Sequence, residues 1–404
     1  MLFSSERHKK LTDTPWNKDL VTEVIKNIID NTYQSRNITS GLWTIHPKDK
    51  FDSSPEFFTD FYMGSAGVVW ALKNLEDINS KDRDISFEEL IDLSLKTHLK
   101  ISGQTPYDDK GSFFVGEAGI RLIKQLISPD ADNEVILIQQ IESKMDSLEN
   151  ELLYGLPGSL LMIHFLYEKL KKTEHLILQN KIIEKLLSTR VIDELSGALI
   201  WIQTFSEQKV RYIGAAHGTI GNYSILLRIL RKQNNLTYHK DIIKNLETFL
   251  NYYARKEDVK CNWPSKMETD NSSKMLVHWC HGATGIVTEL APEIKASESQ
   301  VIDELLIHGG NLIWEAGPLE KGTTICHGTA GSGMAFLKLF ERTNDLHWLQ
   351  KAQSFAMFAI DQYQQEKQEF GQERFSLWTG DLGLAIFLRD VLFHKASMPG
   401  LDIL

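Results

Sequence analysis

Apolar residues recur along the chain in two alternating patterns. One is a run that is apolar nearly all round for about two helical turns, as in Ser159 to Leu166, Tyr223 to Leu227 and Leu384 to Leu388. A helix with no polar face is a buried helix. The other pattern is an amphipathic stretch. Asp241 to Tyr253, Phe87 to Leu99 and Leu349 to Tyr363 carry apolar residues at i, i+3 or i+4, and i+7, one stripe of a 3.6-residue period. Strand-like alternation is scarce throughout. The polar segments Glu76 to Ile85, Ser128 to Glu134 and Gln364 to Glu373 read as connections rather than domain linkers.

Each all-apolar run follows a Gly-x-x-Gly signature. Its seven copies begin at Gly64, Gly116, Gly155, Gly218, Gly282, Gly328 and Gly380. The intervals of roughly 40 to 65 residues suit one supersecondary unit with variable loops. Each unit therefore reads as an outer amphipathic helix, a loop, the glycine signature and an inner buried helix. Seven such units without a polar capping repeat are expected to close on themselves. The expected fold is all-α, an α/α toroid of seven inner and seven outer helices, forming one domain over residues 1–404. The glycines allow tight turns that crowd the helix starts together at one end of the ring. Converging helix N-termini are expected to add unpaired N–H donors and positive potential there.

Composition narrows the partners. With 404 residues, 42% hydrophobic and 24% charged, the chain can bury a large core. A net charge of −10 argues against nucleic acid or an anionic membrane as the main partner. No stretch approaches the roughly 20 apolar residues of a membrane span, and the first ten residues carry no signal-peptide core. Three cysteines, Cys261, Cys280 and Cys326, offer no disulfide framework. A reducing, cytoplasmic location is the expectation.

Two of those cysteines lie in equivalent places. Cys280-His281-Gly282 and Cys326-His327-Gly328 each put a thiol and an imidazole directly before a glycine signature. Two thiolates and one imidazole from separate loops make a three-ligand zinc site whose fourth position stays open, the catalytic arrangement. Either His281 or His327 can supply the imidazole. Cys261 has no such context and reads as structural. His278 reads as a packing or hydrogen-bonding residue, and Trp279 as a wall of the site or as core. His217, at the same register one repeat earlier, is placed for acid/base work. Glu151, four residues before Gly155, is either a catalytic carboxylate or an exposed one at the end of an outer helix.

At these residues the chain resembles the lanthionine synthetase C family, the LanC and LanC-like proteins. Trp279-Cys280-His281-Gly282, Cys326-His327-Gly328 and Ala216-His217-Gly218 carry the resemblance, which extends through all seven glycine signatures. It implies an α/α toroid holding one zinc on Cys280, Cys326 and His327, with His217 as acid/base residue and His281 in the pocket. The family's cyclases close thioether rings in peptides, and its LanC-like branch adds glutathione to dehydroamino acids in proteins. Leu276 to Gly282, Glu151 to Gly155 and Phe375 to Gly380 are similar to the second branch. So is Lys321, where that branch has a lysine implicated in holding glutathione. Arg374 is a second candidate of the same kind.

The cyclase pattern is broken in three places. Leu276 stands where cyclases carry arginine, His281 where they carry tyrosine, and Glu151 where they carry aspartate. The resemblance thus implies zinc-dependent addition of a thiol, with glutathione as donor, to dehydroalanine or dehydrobutyrine in a peptide or protein. The alternatives are a lantibiotic-type cyclase using the peptide's own cysteine, and a non-catalytic protein that binds zinc, glutathione or a regulatory partner. A toroidal glycosidase would need paired carboxylates at the glycine signatures, and none stand out.

Overall fold

The structure, a computed structural model, describes all residues except 38, 53, 80–84, 102–108, 206–207 and 269–272. Fourteen α-helices occur among the described residues: α1 (Lys18–Gln34), α2 (Ser65–Asn74), α3 (Phe87–Ile101), α4 (Glu117–Ile127), α5 (Ala131–Ser143), α6 (Leu156–Leu170) and α7 (Thr173–Ser188), followed by α8 (Thr219–Lys232), α9 (Leu236–Tyr253), α10 (Ala283–Leu290), α11 (Gln300–Ala316), α12 (Thr329–Thr343), α13 (Leu346–Phe370) and α14 (Asp381–Phe393). The even-numbered helices each begin immediately after the first glycine of a signature. They are buried on nearly every side; all eight residues of α10 are buried. The odd-numbered helices bury a stripe, as α9 does with Ile242, Ile243, Leu246, Phe249 and Leu250.

Contacts between inner helices run in order from α2 to α14, and α14 also touches α2. The array is therefore a closed ring and not an open solenoid. The outer helix α1 packs on α13 and α14, so the first helix of the chain shields the last repeat. The end away from the site is filled by the C-terminal segment. Leu401 is buried there, and the Asp402 carboxylate accepts from Lys338 Nζ at 2.6 Å and pairs with Arg228 at 2.9 Å.

The two rings start their helices differently. Four outer helices use side-chain caps: Asn17, Asp130, Ser299 and Asp345 each accept a first-turn N–H. Inner helices have glycine at the cap, and several satisfy their first turn with loop carbonyls seven residues back, while in α10 the Ala283 N–H donates to Asn262 Oδ1 at 2.8 Å. Thr329, Ala330 and Gly331 donate to Gly322, Thr323 and Thr324, and Thr219, Ile220 and Gly221 to Tyr212, Ile213 and Gly214. This corrects the expectation of unpaired donors at the mouth: the converging N–H groups are consumed by the loops themselves.

That looping explains the second glycine of each signature. A Cβ at Gly331 would lie 2.0 Å from the Ile325 carbonyl oxygen, and at Gly221 1.9 Å from that of Ala215. Replacing Gly331 with alanine must push the Ile325–His327 loop off the helix start. The expected outcome is a loss of about 1–3 kcal/mol of stability, as for an overpacked core position. Thermal unfolding of Gly331→Ala checks it, with metal content falling in the same variant.

Some boundaries differ from the sequence reading. Gln364 to Phe370 continues α13, because its Gln, Glu and Lys residues are good helix formers, and the helix ends at Gly371 with φ 65°. Asp130 caps α5, so only residues 128–130 form that connection. Part of the Glu76 to Ile85 connection lies outside the described residues. Four two-stranded antiparallel hairpins occur among the described residues, each too short to leave a period-2 signal. One of them, Val277–His278 paired with His281–Gly282, carries Trp279 and Cys280 at its turn. Gly282 takes φ +86°, the left-handed region that glycine tolerates best.

Candidate metal centre at the mouth of the ring

The repeat register decides which side chains reach the mouth. The residue two before each signature is buried: Tyr62, Phe114, Leu153, Ala216, Cys280, Cys326 and Trp378. The residue one before it is half-buried in six repeats: Met63, Val115, Tyr154, His217, His281 and His327. The loops are also hydrogen-bonded to one another around the ring. Cys326 N–H donates to Trp378 O at 3.2 Å, Trp378 N–H to Tyr62 O at 3.0 Å, and Tyr62 N–H to Phe114 O at 2.8 Å. Cys326 is thereby fixed by a chain of backbone bonds that spans four repeats.

The structure brings the two cysteines and His327 together. The sulfurs of Cys280 and Cys326 are 2.7 Å apart, and His327 Nε2 lies 3.3 Å from Cys280 and 3.7 Å from Cys326. Both thiols are free, and a disulfide would need about 2.05 Å. His278, Cys280 and His327 also form a group whose donor atoms lie within 4.8 Å of one another, able to hold a metal ion. His278 is thus part of the cluster, beyond the packing role read from sequence. Its ring stands edge-on to His327 with centroids 5.1 Å apart.

Electrostatics separate the donors. Burial pushes both thiols up. At Cys326, hydrogen bonds from Cys280, His327 and Tyr62 and the charge of His327 outweigh it and hold the thiol well below its usual range. At Cys280 burial prevails, reinforced by Cys326. Burial, then the charges of His327 and His281, pushes His278 down to about 2. His278 Nδ1 is buried without a hydrogen-bond partner. Imidazoles and two thiols within reach of one point are a soft donor set that suits zinc. A tetrahedral ion with Zn–S bonds of about 2.3 Å would hold the sulfurs further apart than they stand here.

Beside this cluster lies a dyad. His217 Nδ1 is 2.7 Å from Glu151 Oε2, and Glu151 is fully buried. The exposed-carboxylate reading of Glu151 is therefore excluded. Its carboxylate also accepts the N–H groups of Leu153, at 3.0 Å, and Tyr154. Asp60, four residues before Gly64, accepts from Tyr62 and Met63 in the same way. The carboxylate thus caps its own loop and orients the histidine of the next repeat. Burial lowers the affinity of His217 for a proton, but the hydrogen bond and charge of Glu151 outweigh it and the net direction is upward. His281, 6.4 Å away between ring centroids, goes the other way, down to about 3 through burial and the charges of His217, His327 and Lys266.

The residues proposed to touch substrate divide. Lys321 is exposed on the rim, and its charge acts on Cys280 and His278. Trp279 does not reach the mouth. It is 1% exposed, its indole donates to Glu289 at 2.9 Å, and it packs on Trp378. Arg374 is held in a two-point ion pair with Asp49, one contact being 2.7 Å, so its guanidinium is already committed. Tyr62, Arg7 and Tyr212 were not singled out by sequence. Tyr62 hydrogen-bonds Cys326, Arg7 acts on His278, and Tyr212 lies against His217 and His281. The only sequence signal was the register of Tyr62, two residues before Gly64.

Comparison with known proteins now decides the family. The pattern described as "Lanthionine synthetase C-like protein" matches residues 55–402. The chain belongs to the lanthionine synthetase C-like family. A LanC-like relative, "Glutathione S-transferase LANCL1" of Danio rerio, is 29% identical over 72% of this chain and 74% of its own length. "LanC-like protein GCL1" of Arabidopsis thaliana is 28% identical over 63% of this chain and 58% of its own. Among solved structures, "Nisin cyclase" superposes with TM-score 0.60 at 17% identity, covering 94% of this chain and 96% of that one. At that identity the likeness speaks for the LanC toroid alone. No described helix is long and apolar enough to cross a membrane.

Proposed function

We propose that this LanC-like protein adds a thiol to dehydroalanine or dehydrobutyrine residues of a peptide or protein, with zinc as cofactor and glutathione as donor. The carrying observation is the convergence of Cys280, Cys326 and His327 beside the buried His217–Glu151 dyad. We assign zinc to Cys280, Cys326 and His327, with His278 as neighbour, because two thiolates balance a divalent ion and the surroundings of Cys326 already hold its thiol well below the usual range. Bound there, zinc supplies the acidity that keeps an incoming thiol deprotonated near neutral pH.

The chain's own residues supply the rest. The donor sulfur bonds to Cβ of the dehydro residue, and the π electron pair moves to Cα and the amide oxygen. His217, charged through its contact with Glu151, gives Cα its proton. His281 is neutral and lies near enough to steady the developing oxyanion. The thiol's own proton restores the charge of His217 through solvent. Tyr62 keeps Cys326 anionic. On the rim, Lys321 and Arg7 offer cations to the donor's carboxylates, and the printed name of the Danio rerio relative agrees with such a donor.

A zinc-loaded sample incubated with a dehydroalanine peptide and glutathione tests this directly: loss of the dehydro residue with thioether formation supports it, and an unchanged peptide rejects it. Lys321→Ala is expected to raise the half-saturating glutathione concentration about 2- to 5-fold, the worth of one rim charge contact. Its kcat should hold, because the contact exists before and during the reaction. An unaltered half-saturation removes Lys321 from the donor site.

A further inference from the structure

One side of the mouth is built by two loops that the thiol chemistry leaves unused. Tyr212, before His217, and Lys266, before Cys280, form an antiparallel backbone bridge. Ile213 N–H to Ser265 O at 3.2 Å and Met267 N–H to Arg211 O at 2.9 Å pin it on both sides. Side chains of bridged residues share one face and their neighbours take the other. Accordingly Ile213, Ser265 and Met267 are buried, while Tyr212 and Lys266 stay half-exposed.

That shared face looks onto the histidines. The Tyr212 ring lies 5.3 Å from His281 and 6.1 Å from His217, centroid to centroid. Lys266 Nζ sits 5.8 Å from the centroid of the Tyr212 ring. Among the described residues no carboxylate pairs with Lys266, in a chain of net charge −10. The cations divide the mouth. Lys321 acts on Cys280 and His278 and Arg7 on His278, the thiol side, whereas Lys266 acts on His281. In the reaction proposed above Cα is protonated at His217, whose ring lies against Tyr212, which puts the acceptor on the Tyr212–Lys266 side.

We infer that Tyr212 and Lys266 form the acceptor-peptide subsite, Tyr212 packing on the chain beside the dehydro residue and Lys266 selecting peptides with a carboxylate side chain next to it. The inference rests on the acceptor being a peptide, as proposed above. Lys266 is the specificity-determining residue and Tyr212 a packing surface. A half-buried cation facing its only carboxylate is worth more than a fully solvated pair, enough for about a tenfold preference.

Three labelled peptides test this, identical except for Glu, Ala or Lys beside the reactive position. Threonine replaces the dehydro residue for binding by fluorescence anisotropy, and dehydrobutyrine occupies it for kinetics. The wild type should bind the Glu peptide about tenfold tighter than the Lys peptide, with Ala between. Lys266→Glu should invert that order and Lys266→Ala should flatten it, both at unchanged half-saturating glutathione. Tyr212→Leu should weaken all three peptides alike. Equal binding of the three, no binding of any, or an unaltered order in Lys266→Glu overturns the inference. A charge-dependent order in binding with no thiol addition to the dehydrobutyrine forms would instead sink the proposed reaction and retain the subsite.

Discussion

Cys280→Ala leaves the protein without stoichiometric zinc and lowers thiol addition by more than about a hundred-fold. Losing a partner that merely orients a metal ligand costs roughly 10- to 100-fold in affinity or activity, so losing a ligand must cost more. The variant also removes the hydrogen bond from Cys280 that helps hold the Cys326 thiol below its usual range, so the remaining thiol loses part of its readiness to bind. The ring itself should survive, because Cys280 ends a hairpin turn and carries only a small side chain into the core. Metal analysis of the purified variant beside a thermal melt separates the two effects. His278→Ala provides the contrast. His278 reaches the cluster, yet with both thiolates intact zinc should stay at one per chain. Retention of zinc in Cys280→Ala with loss in His278→Ala would contradict the assignment and move the ligands to the imidazoles.

His217→Ala lowers kcat by about 10²- to 10⁴-fold with zinc content unchanged, the usual worth of a positioned proton donor. Its ring belongs to the repeat before Cys280 and is held by Glu151 at 2.7 Å, so metal binding should not respond. Glu151 divides the effect further. Glu151→Gln keeps one acceptor oxygen, enough for the Leu153 N–H and His217, turns a donor toward the Tyr154 N–H, and removes the charge that raises the proton affinity of His217. It should lose rate with a smaller loss of stability than Glu151→Ala. Glu151→Ala orphans two buried N–H groups, at about 1–3 kcal/mol each, and should lose both. Steady-state kinetics, metal analysis and thermal unfolding on the three variants check this. Full kcat in His217→Ala would remove the dyad from the chemistry.

The parts of the site that sequence made legible share one cause. A glycine signature marks each place where a Cβ would strike a carbonyl at about 2 Å, as at Gly331 and Gly221, so the backbone could use no other residue. Once the seven signatures are aligned, His217, His281 and His327 fall at one register and the two thiols at the register beneath. The toroid and the convergence at its mouth followed from that spacing. What stayed hidden depends on contacts made by ring closure or on local burial. Arg374 finds Asp49 325 positions away. Tyr62 meets Cys326 only because the first repeat lies two places from the sixth around the closed ring. Trp279 carries no sign in sequence that its indole turns toward Glu289 and not the mouth. Glu151 stayed open between a catalytic and an exposed carboxylate because its partners are two N–H groups of its own loop and one imidazole 66 positions on.

The central claim is thiol addition by a metal-held donor, and one mass measurement tests it most directly. A peptide with one dehydrobutyrine and one distant cysteine is incubated with zinc-loaded protein and glutathione. The account predicts a gain of one glutathione per peptide, with the cysteine still open to alkylation, and no gain after the zinc is chelated. An unchanged mass with the cysteine closed to alkylation would show ring closure in place of glutathione transfer. An unchanged mass with the cysteine still reactive would contradict the catalytic account altogether.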